Sequence, residues 1–241
     1  DILKHISFKA EKGQTIAFIG ATGSGKTTLV GLAARFYDAT AGRVLVDGVD
    51  IKDYSFDALY DRIGYVTQKA VLFAGDIQEN VLFGESRAPR TKETVEQALR
   101  LSMAEEFVQK LEGGVKAPIA QGGSNVSGGQ KQRLSIARAL ARKPEILIFD
   151  DSFSALDYKT DAALRAGLSR ELQGTTCMIV AQRIGTIRNA DKIIVLENGE
   201  IAGMGTHEEL LRECSVYREI AESQLSPEEI EQQLAAGKGD K

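Results

Sequence analysis

The residues best suited to chemistry lie near the start of the chain, in a glycine-rich segment that ends in a lysine and two threonines. The segment matches the pattern G-x-x-x-x-G-K-[ST] of a phosphate-binding loop. Main-chain N–H groups of such a loop converge on the β- and γ-phosphates of a nucleoside triphosphate. Lys26 would add a positive charge, and Thr27 would offer its hydroxyl to Mg²⁺. The predicted nucleotide-binding residues are Gly20, Thr22, Gly23, Ser24, Gly25, Lys26, Thr27 and Thr28.

Such a loop works between a strand and a helix, and the sequence predicts both. The apolar segment Thr15–Ile19 precedes the loop, and a helical pattern extends over about Lys26–Phe36. The helix would direct the positive end of its dipole at the phosphates. Later apolar runs alternate with helical stretches, which indicates a parallel sheet buried on both faces. These runs are Ile146–Phe149, Cys177–Val180 and Lys192–Leu196.

Other local patterns predict further secondary structure. Alternation at Ile6–Ala10 and the run Arg43–Val46 predict additional strands near the N-terminus. Between about residues 76 and 135 the pattern becomes helical, with capped helix starts expected at Thr91 and at Ser102.

Later segments carry groups that also suit phosphate and metal chemistry. The strand predicted at Ile146–Phe149 ends in Asp150, whose carboxylate suits Mg²⁺. Ser127-Gly128-Gly129-Gln130 comes directly before a strong helical pattern and would form a second anion-binding helix start. Because this segment belongs to the helical stretch, it cannot easily serve the phosphates at Lys26. Two copies of the chain, or two related chains, facing head to tail would solve that problem.

The order of these segments resembles that of the nucleotide-binding domain of ATP-binding-cassette (ABC) transporters. The resemblance extends to about residue 224 and is specific, because Ser127–Gln130 matches the family signature. It implies an α/β fold: a P-loop NTPase (RecA-like) core with an antiparallel β subdomain and an inserted α-helical subdomain. The matching segments are Gly20–Thr28, Gln68, Ser127–Gln130, Ile146–Asp150 and Ser154–Asp157.

The resemblance also implies how the chain is divided. The ABC domain would occupy residues 1–224, with its core at about 1–75 and 136–224 and its helical subdomain at about 76–135. Residues 225–241 would form a polar C-terminal tail.

Site roles and cofactors follow from the family, residue by residue. Gln68 would contact Mg²⁺ and the attacking water and would relay to a membrane domain. The expected ligands are ATP and Mg²⁺, with the metal held by Thr27, Gln68 and Asp150. The signature residues, which would bind the γ-phosphate of ATP held by the partner domain, are Ser127, Gly128, Gly129 and Gln130. The loop that would cross the dimer interface is Ser154, Ala155, Leu156 and Asp157.

One stretch indicates the class of transporter. Leu72–Val81 is similar to the segment that follows the loop glutamine in ABC exporters. This likeness implies a transmembrane domain upstream in the same polypeptide and a place at the cytoplasmic face of the cell membrane. The expected partners are that membrane domain and a second ABC nucleotide-binding domain from a different chain. In exporters the residue that stacks on adenine lies upstream of the segment aligned with Ile2, so no adenine contact is assigned.

Two positions depart from the family pattern. Asp151 stands where a glutamate is taken as the general base, and Gln182 stands where the switch residue is normally a histidine. Aspartate is one methylene shorter, which withdraws the carboxylate by roughly 1.3–1.5 Å. A general base must reach its proton at roughly 2.6–3.2 Å, and losing it costs about 10²–10⁴ in rate. The candidate catalytic residues are therefore Asp151, Gln182 and Gln68, with weak hydrolysis expected at this chain's own site.

A third departure, Ala120–Val126, precedes the signature. Together the departures resemble the degenerate half of heterodimeric bacterial multidrug exporters, in which one composite site hydrolyses ATP and the other retains it. The intact signature of this chain would then complete the partner's hydrolytic site. Alternatives are a fully hydrolytic homodimeric exporter, with Asp151 acting through an extra water, a separate importer ATPase subunit, and a soluble ABC protein acting on DNA or ribosomes.

Composition narrows these alternatives. The net charge of −4 provides no basic surplus, so no nucleic-acid partner is expected. No stretch approaches the ~20 apolar residues of a membrane span.

Single residues also have expected environments. Cys177 lies in an apolar run and is expected to be a buried, inert thiol, whereas His5 and His207 are expected to face solvent or loops. The tail should include a marginal helix and end in a disordered segment, residues 237–241.

Overall fold

The structure is a computed structural model that describes residues 2–236. Its strands are β1 (Thr15–Ile19), β2 (Leu45–Val46), β3 (Val49–Asp50), β4 (Ile63–Val66), β5 (Gly75–Asp76), β6 (Pro118–Ile119), β7 (Ile146–Asp150), β8 (Thr176–Val180), β9 (Lys192–Glu197) and β10 (Glu200–Gly205). Its helices are α1 (Lys26–Ala33), α2 (Phe56–Tyr60), α3 (Ile77–Val81), α4 (Lys92–Leu101), α5 (Glu105–Lys110), α6 (Gly128–Ala141), α7 (Tyr158–Glu171), α8 (Ile184–Ile187), α9 (His207–Glu213), α10 (Ser215–Glu222) and α11 (Pro227–Ala236).

The described residues form two compact units. The first unit comprises residues 2–44 and 176–236, and the second is Leu45–Thr175. The predicted segment 237–241 lies outside the described residues. Within residues 2–236, none of the helices combines the length and the hydropathy that a membrane crossing requires.

A mixed sheet forms the centre of the first unit. Strand β1 pairs in parallel with β8 on one side and with β9 on the other, and β10 pairs antiparallel with β9. The register places Phe18 beside Val180 and Ile194. All three side chains are buried, as expected for parallel strands covered on both faces. Cys177 is also buried as predicted, and burial raises the pKa of its thiol to about 11.

The strand predicted at Ile6–Ala10 is not formed. The ring of Phe8 does pack edge-on against Phe18, with 5.6 Å between centroids, so the alternating pattern marks a packed segment. One carbonyl group of this segment is hydrogen-bonded to a side chain and not to a neighbouring strand, because Lys192 Nζ donates to the carbonyl oxygen of Lys9 at 2.8 Å. The prediction of a strand was wrong because alternation of apolar and polar residues shows which side chains pack. It does not show that the main chain hydrogen-bonds to a neighbouring strand.

The C-terminal helices of the first unit enclose a polar cluster. His207 is 2% exposed, and its Nδ1 and Nε2 lie 2.7 Å from Tyr217 Oη and 2.6 Å from Gln233 Oε1. The expectation that His207 faces solvent or a loop was therefore wrong. Helix α11 packs against α9 and covers this side chain, which no local sequence pattern reveals.

The second unit contains the parallel pair β4–β7, the antiparallel hairpin β2–β3, the short pair β5–β6 and helices α2–α7. The predicted helix start at Thr91 is confirmed, because its hydroxyl caps α4. The start predicted at Ser102 was wrong. Ser102 ends α4, and its hydroxyl donates to the carbonyl oxygen of Leu99 at 3.1 Å, so it does not cap α5.

A buried amide joins α3 to α6. Asn80, which is 2% exposed, accepts hydrogen bonds at Oδ1 from Phe73 N–H and from the Arg138 guanidinium, each at 2.9 Å. Its Nδ2 donates to the carbonyl oxygens of Phe73 and Asp76. Burial lowers the pKa of Arg138 to about 10, which leaves it charged at neutral pH.

We expect Asn80→Ala to lower the free energy of unfolding by about 2–4 kcal/mol, because it leaves buried donors and acceptors without partners. Denaturant titration would measure the loss. The matched control is Asn189→Ala, at an exposed position, which should change stability by less than about 0.5 kcal/mol. Equal effects of the two substitutions would contradict the assigned role of Asn80.

Candidate nucleotide-binding site

The loop between β1 and α1 depends on glycine at two points. Gly20 has φ 152°, and a Cβ added there would overlap the carbonyl oxygen of Leu196. Gly25 is the N-cap of α1 with φ 100°, and an added Cβ would lie 2.5 Å from Leu3 Cδ2. The left-handed backbone and the close neighbours leave room only for glycine at these points.

Lys26 holds its ammonium group inside the loop. Nζ donates hydrogen bonds to the carbonyl oxygens of Gly20 and Ala21 at 2.8 Å each and to Ser24 Oγ at 3.3 Å. The residue is 9% exposed, while Thr22 and Thr27 are exposed and Thr28 is half-buried. The loop therefore presents a fixed positive charge at a helix N-terminus, the arrangement that binds phosphate.

Gln182 lies at the same edge of the first unit's sheet. Strand β8 runs parallel to β1, and the N–H of Ala181 donates to the carbonyl oxygen of Phe18 at 3.1 Å. Gln182 follows directly and is exposed. The structure thus brings Gln182 to the strand ends from which the loop containing Lys26 begins.

The second unit gathers a polar cluster at the ends of β4 and β7. Gln68 Nε2 donates to Asp151 Oδ2 at 2.9 Å, and Tyr65 Oη donates to Asp150 Oδ2 at 3.0 Å. Both aspartates are buried, at 5% and 6% exposed. Parallel pairing, with Val66 beside Phe149, explains why residues so distant in sequence meet.

Tyr65 is a site residue that the sequence pattern missed. Its position in an apolar strand predicts a packing role, yet its hydroxyl contacts the carboxylate of Asp150. Only the register of β4 against β7 could have indicated this contact.

The backbone of Asp151 is in the left-handed region, with φ 48°. Ser154 Oγ donates to the carbonyl oxygen of Asp151 at 2.7 Å, which holds the turn after β7 in this shape. A non-glycine residue in this region is uncommon and indicates a local constraint on the direction of its side chain.

The residues assigned to Mg²⁺ supply the kind of donor this ion prefers. Asp150 offers a carboxylate, Gln68 an amide oxygen and Thr27 a hydroxyl, all hard oxygen ligands. Among the described residues, no group of three or more His, Cys, Asp or Glu side chains could enclose a metal. Asp150 and Gln68 belong to the second unit and Thr27 to the first, and each donor by itself is of the type that Mg²⁺ prefers.

The signature segment starts α6. Ser127 Oγ accepts a hydrogen bond from the N–H of Gln130 at 3.3 Å, and Gln130 Oε1 accepts one from the N–H of Ser127 at 2.9 Å. Ser127 and Gly128 are exposed, and a Cβ added at Gly128 would meet no atom within 4 Å. Among the described residues, this helix start therefore has an open face.

The loop Ser154–Asp157 lies beside the signature. A Cβ added at Gly129 would be 3.5 Å from the carbonyl oxygen of Ala155. Leu156 is buried and anchors the loop, while Ser154, Ala155 and Asp157 are exposed. Hydrogen bonds from the N–H and the hydroxyl of Thr160 lower the pKa of Asp157, which caps α7.

This fold is an α/β P-loop NTPase-like fold of the ABC ATPase type, as the sequence predicts. The family model described as "ABC transporter" matches residues 3–154, and the chain belongs to this family.

Relatives support the assignment. An uncharacterized ABC transporter ATP-binding protein of Mycobacterium tuberculosis is 47% identical over 224 residues, which cover 92% of this chain and 38% of that protein. A Staphylococcus aureus protein, provisionally named a multidrug export ATP-binding/permease protein, is 43% identical over 219 residues, with 91% and 38% covered. The chain thus spans 38% of the length of these relatives.

A solved structure shows the same fold. A bacterial Atm1-family ABC exporter with ATP bound superposes with a TM-score of 0.87 and 35% sequence identity. The match covers 92% of this chain and 39% of the exporter chain. The chain is therefore homologous to the ATP-binding domains of ABC exporters.

We expect Gly20→Ala to lower the free energy of unfolding by roughly 2–5 kcal/mol, because overlap with Leu196 adds to backbone strain. The control is Gly23→Ala in the same loop, where φ is 83° but no atom lies within 4 Å of an added Cβ. That variant should lose only about 1–2 kcal/mol. Chemical denaturation of both proteins measures the difference, and equal losses would show that the close approach of Leu196 is unimportant.

Proposed function

We propose that this chain is the ATP-binding domain of an ABC exporter and the catalytically degenerate half of a heterodimer. It binds ATP with Mg²⁺, closes onto a second ABC domain and couples that closure to substrate export. The observation that carries this proposal is the pair of substitutions at catalytic positions, Asp151 and Gln182, beside an intact signature, Ser127–Gln130.

The surroundings of Asp151 support weak hydrolysis. Its carboxylate is buried and accepts a hydrogen bond from Gln68, and its backbone is fixed by Ser154. A shorter side chain held in this way stays back from a water that a glutamate would reach. Gln182 can hydrogen-bond a γ-phosphate but brings no positive charge to it. ATP binding, which relies chiefly on the glycine loop and Lys26, is retained with aspartate and glutamine at these two positions.

The exposed signature supports a role at the partner's nucleotide. Ser127 and Gly128 present the open N-terminus of a 14-residue helix, the geometry that receives a phosphate. The loop Ser154–Asp157 lies beside this helix start, where Ala155 approaches Gly129. We assign these residues to the hydrolytic site, so that the chain is required for turnover while hydrolysing little itself.

An exposed apolar surface supports the proposed membrane partner. The rings of Phe73 and Phe83 stack with 4.1 Å between centroids, and the Arg138 guanidinium lies 5.2 and 5.5 Å from them. Both phenylalanines and Val71 are more than two-fifths exposed, and an apolar cluster of this kind marks an interaction site. We propose that a membrane domain of the same polypeptide docks here, at the cytoplasmic face of the cell membrane.

The proposed domain organisation follows the family. Residues 1–224 form the ABC domain, with its helical subdomain at about 76–135, and residues 225–241 form the tail. ATP would stabilise the closed pair of domains more than the open pair, and this difference in affinity would drive the membrane helices between inward- and outward-facing states.

We expect the intact transporter chain, expressed without any related subunit, to hydrolyse ATP slowly. The double variant Asp151→Glu, Gln182→His should restore turnover by about 10²-fold or more, because it returns the base and the charged switch residue. Steady-state phosphate release measures both. Adding Lys26→Ala to the double variant is the control that assigns the activity to this chain. Turnover of ~1–10 s⁻¹ by the natural chain would contradict the degenerate assignment and establish a self-sufficient homodimer.

Transport by the complete assembly tests which of the two ATP sites hydrolyses ATP. Asp151→Ala should leave transport nearly unchanged, whereas Ser127→Arg should abolish it by blocking the partner's γ-phosphate. The matched control for added charge is Ser124→Arg, at an exposed position three residues earlier. The reverse pattern, with Asp151→Ala inactive and Ser127→Arg active, would refute the assignment.

A further inference from the structure

The peptide that carries Gln182 is held by a side chain from 42 residues further along the chain. Gln224 Nε2 donates a hydrogen bond to the carbonyl oxygen of Gln182 at 2.8 Å. The other end of the same amide, Gln224 Oε1, accepts a hydrogen bond from the N–H of Ile184 at 2.9 Å. One amide thus fixes the peptide groups that follow the Cα of Gln182.

The same contact supplies a cap to α8. Within the described residues, the side chain of its N-cap residue, Arg183, makes no capping hydrogen bond. The first N–H groups of a helix have no acceptor inside the helix and need one from elsewhere. Gln224 provides that acceptor to Ile184, so the path of the chain after Gln182 depends on Gln224.

Gln224 is itself attached to a well-packed element. It follows α10, whose Tyr217 and Ala221 are 0% exposed, and its N–H donates to the carbonyl oxygen of Ala221 at 3.0 Å. Helix α10 packs against β9 and β10. The side chain of Gln224 is exposed, so replacing it removes hydrogen bonds without opening a cavity in the core.

The position of Gln182 relative to the phosphate-binding loop gives this contact a function. Phe18 and Val180 are register partners in parallel strands, and Gly20 and Gln182 each follow two residues beyond that pair. Both therefore lie at the same edge of the sheet, where ligands bind in open α/β folds.

We infer that Gln224 is a positioning residue for nucleotide recognition: it fixes the Gln182 peptide so that the Gln182 amide reaches the γ-phosphate of ATP. The inference rests on the proposed function, in which Gln182 contacts that phosphate. It makes helix α10 part of the response of the chain to the nucleotide. A shift of α10 would alter the contact of Gln182 with the γ-phosphate. The contacts of the glycine loop with the inner phosphates would stay unchanged.

The test compares the affinity of the 241-residue chain for a non-hydrolysable ATP analogue and for ADP, each with Mg²⁺, by titration calorimetry. Gln224→Met keeps the length of the side chain and removes both hydrogen bonds. It should weaken binding of the analogue about tenfold, the order expected for a lost hydrogen bond to a charged group. Binding of ADP should be unchanged, because ADP has no γ-phosphate. A general loss of structure would weaken both nucleotides.

Two further variants complete the test. Gln182→Ala should show the same selective loss, and the double variant should be no weaker than Gln182→Ala alone, because the two residues act through one contact. Gln232→Ala, at an exposed position on α11, is the matched control and should bind both nucleotides like the natural chain.

The outcomes separate this inference from the proposed function. Normal binding of the analogue by Gln224→Met, together with a selective loss in Gln182→Ala, overturns the positioning role alone. If Gln182→Ala does not alter the preference for the analogue over ADP, the assigned contact of Gln182 fails and the positioning role fails with it. If the natural chain binds neither nucleotide, the proposed function itself is wrong.

Discussion

Parallel pairing of β1 with β8 and β9 is the constraint on which the candidate nucleotide-binding edge of the first unit depends. The carboxyl ends of parallel strands lie at one edge, so the loop after β1 and Gln182 after β8 must both lie there. Close packing tightens the constraint, since the carbonyl oxygen of Leu196 in β9 leaves no room for a side chain at Gly20. The shape of the phosphate-binding loop is therefore imposed by its neighbours as well as by its own glycines.

In the second unit, parallel strand pairing likewise brings distant residues to one edge, and there the residues are hydrogen-bonded to one another. Parallel pairing of β4 with β7 brings Gln68 to Asp151 and Tyr65 to Asp150, and burial makes each of these hydrogen bonds more consequential than it would be in water. Asp151 is thus held beside Asp150 in a buried polar cluster at the ends of these strands. In the proposed degenerate site, the carboxylate of Asp151 already serves as the acceptor for the amide of Gln68.

Agreement between sequence and structure varied with the range of the interactions involved. The strands Thr15–Ile19 and Ile146–Phe149 were predicted because long apolar runs fit a sheet buried on both faces. The capped start at Thr91 was predicted because a cap involves residues only three apart. The failures at Ile6–Ala10 and His207 share one cause. Each has local features that fit two environments, and packing against distant elements selected between them. The failure at Ser102 is local, because its hydroxyl bonds back to Leu99 at the end of α4.

By itself, the sequence determined the class of fold and the chemical groups of the candidate site, because the glycine loop, Lys26 and the signature Ser127–Gln130 are short patterns of neighbouring residues. The tertiary structure decided which of these groups meet and how each is held. The hydrogen bonds of Tyr65 to Asp150 and of Gln224 to Gln182 join residues 85 and 42 positions apart. Only strand register and helix packing create such contacts, and no spacing within the sequence specifies them.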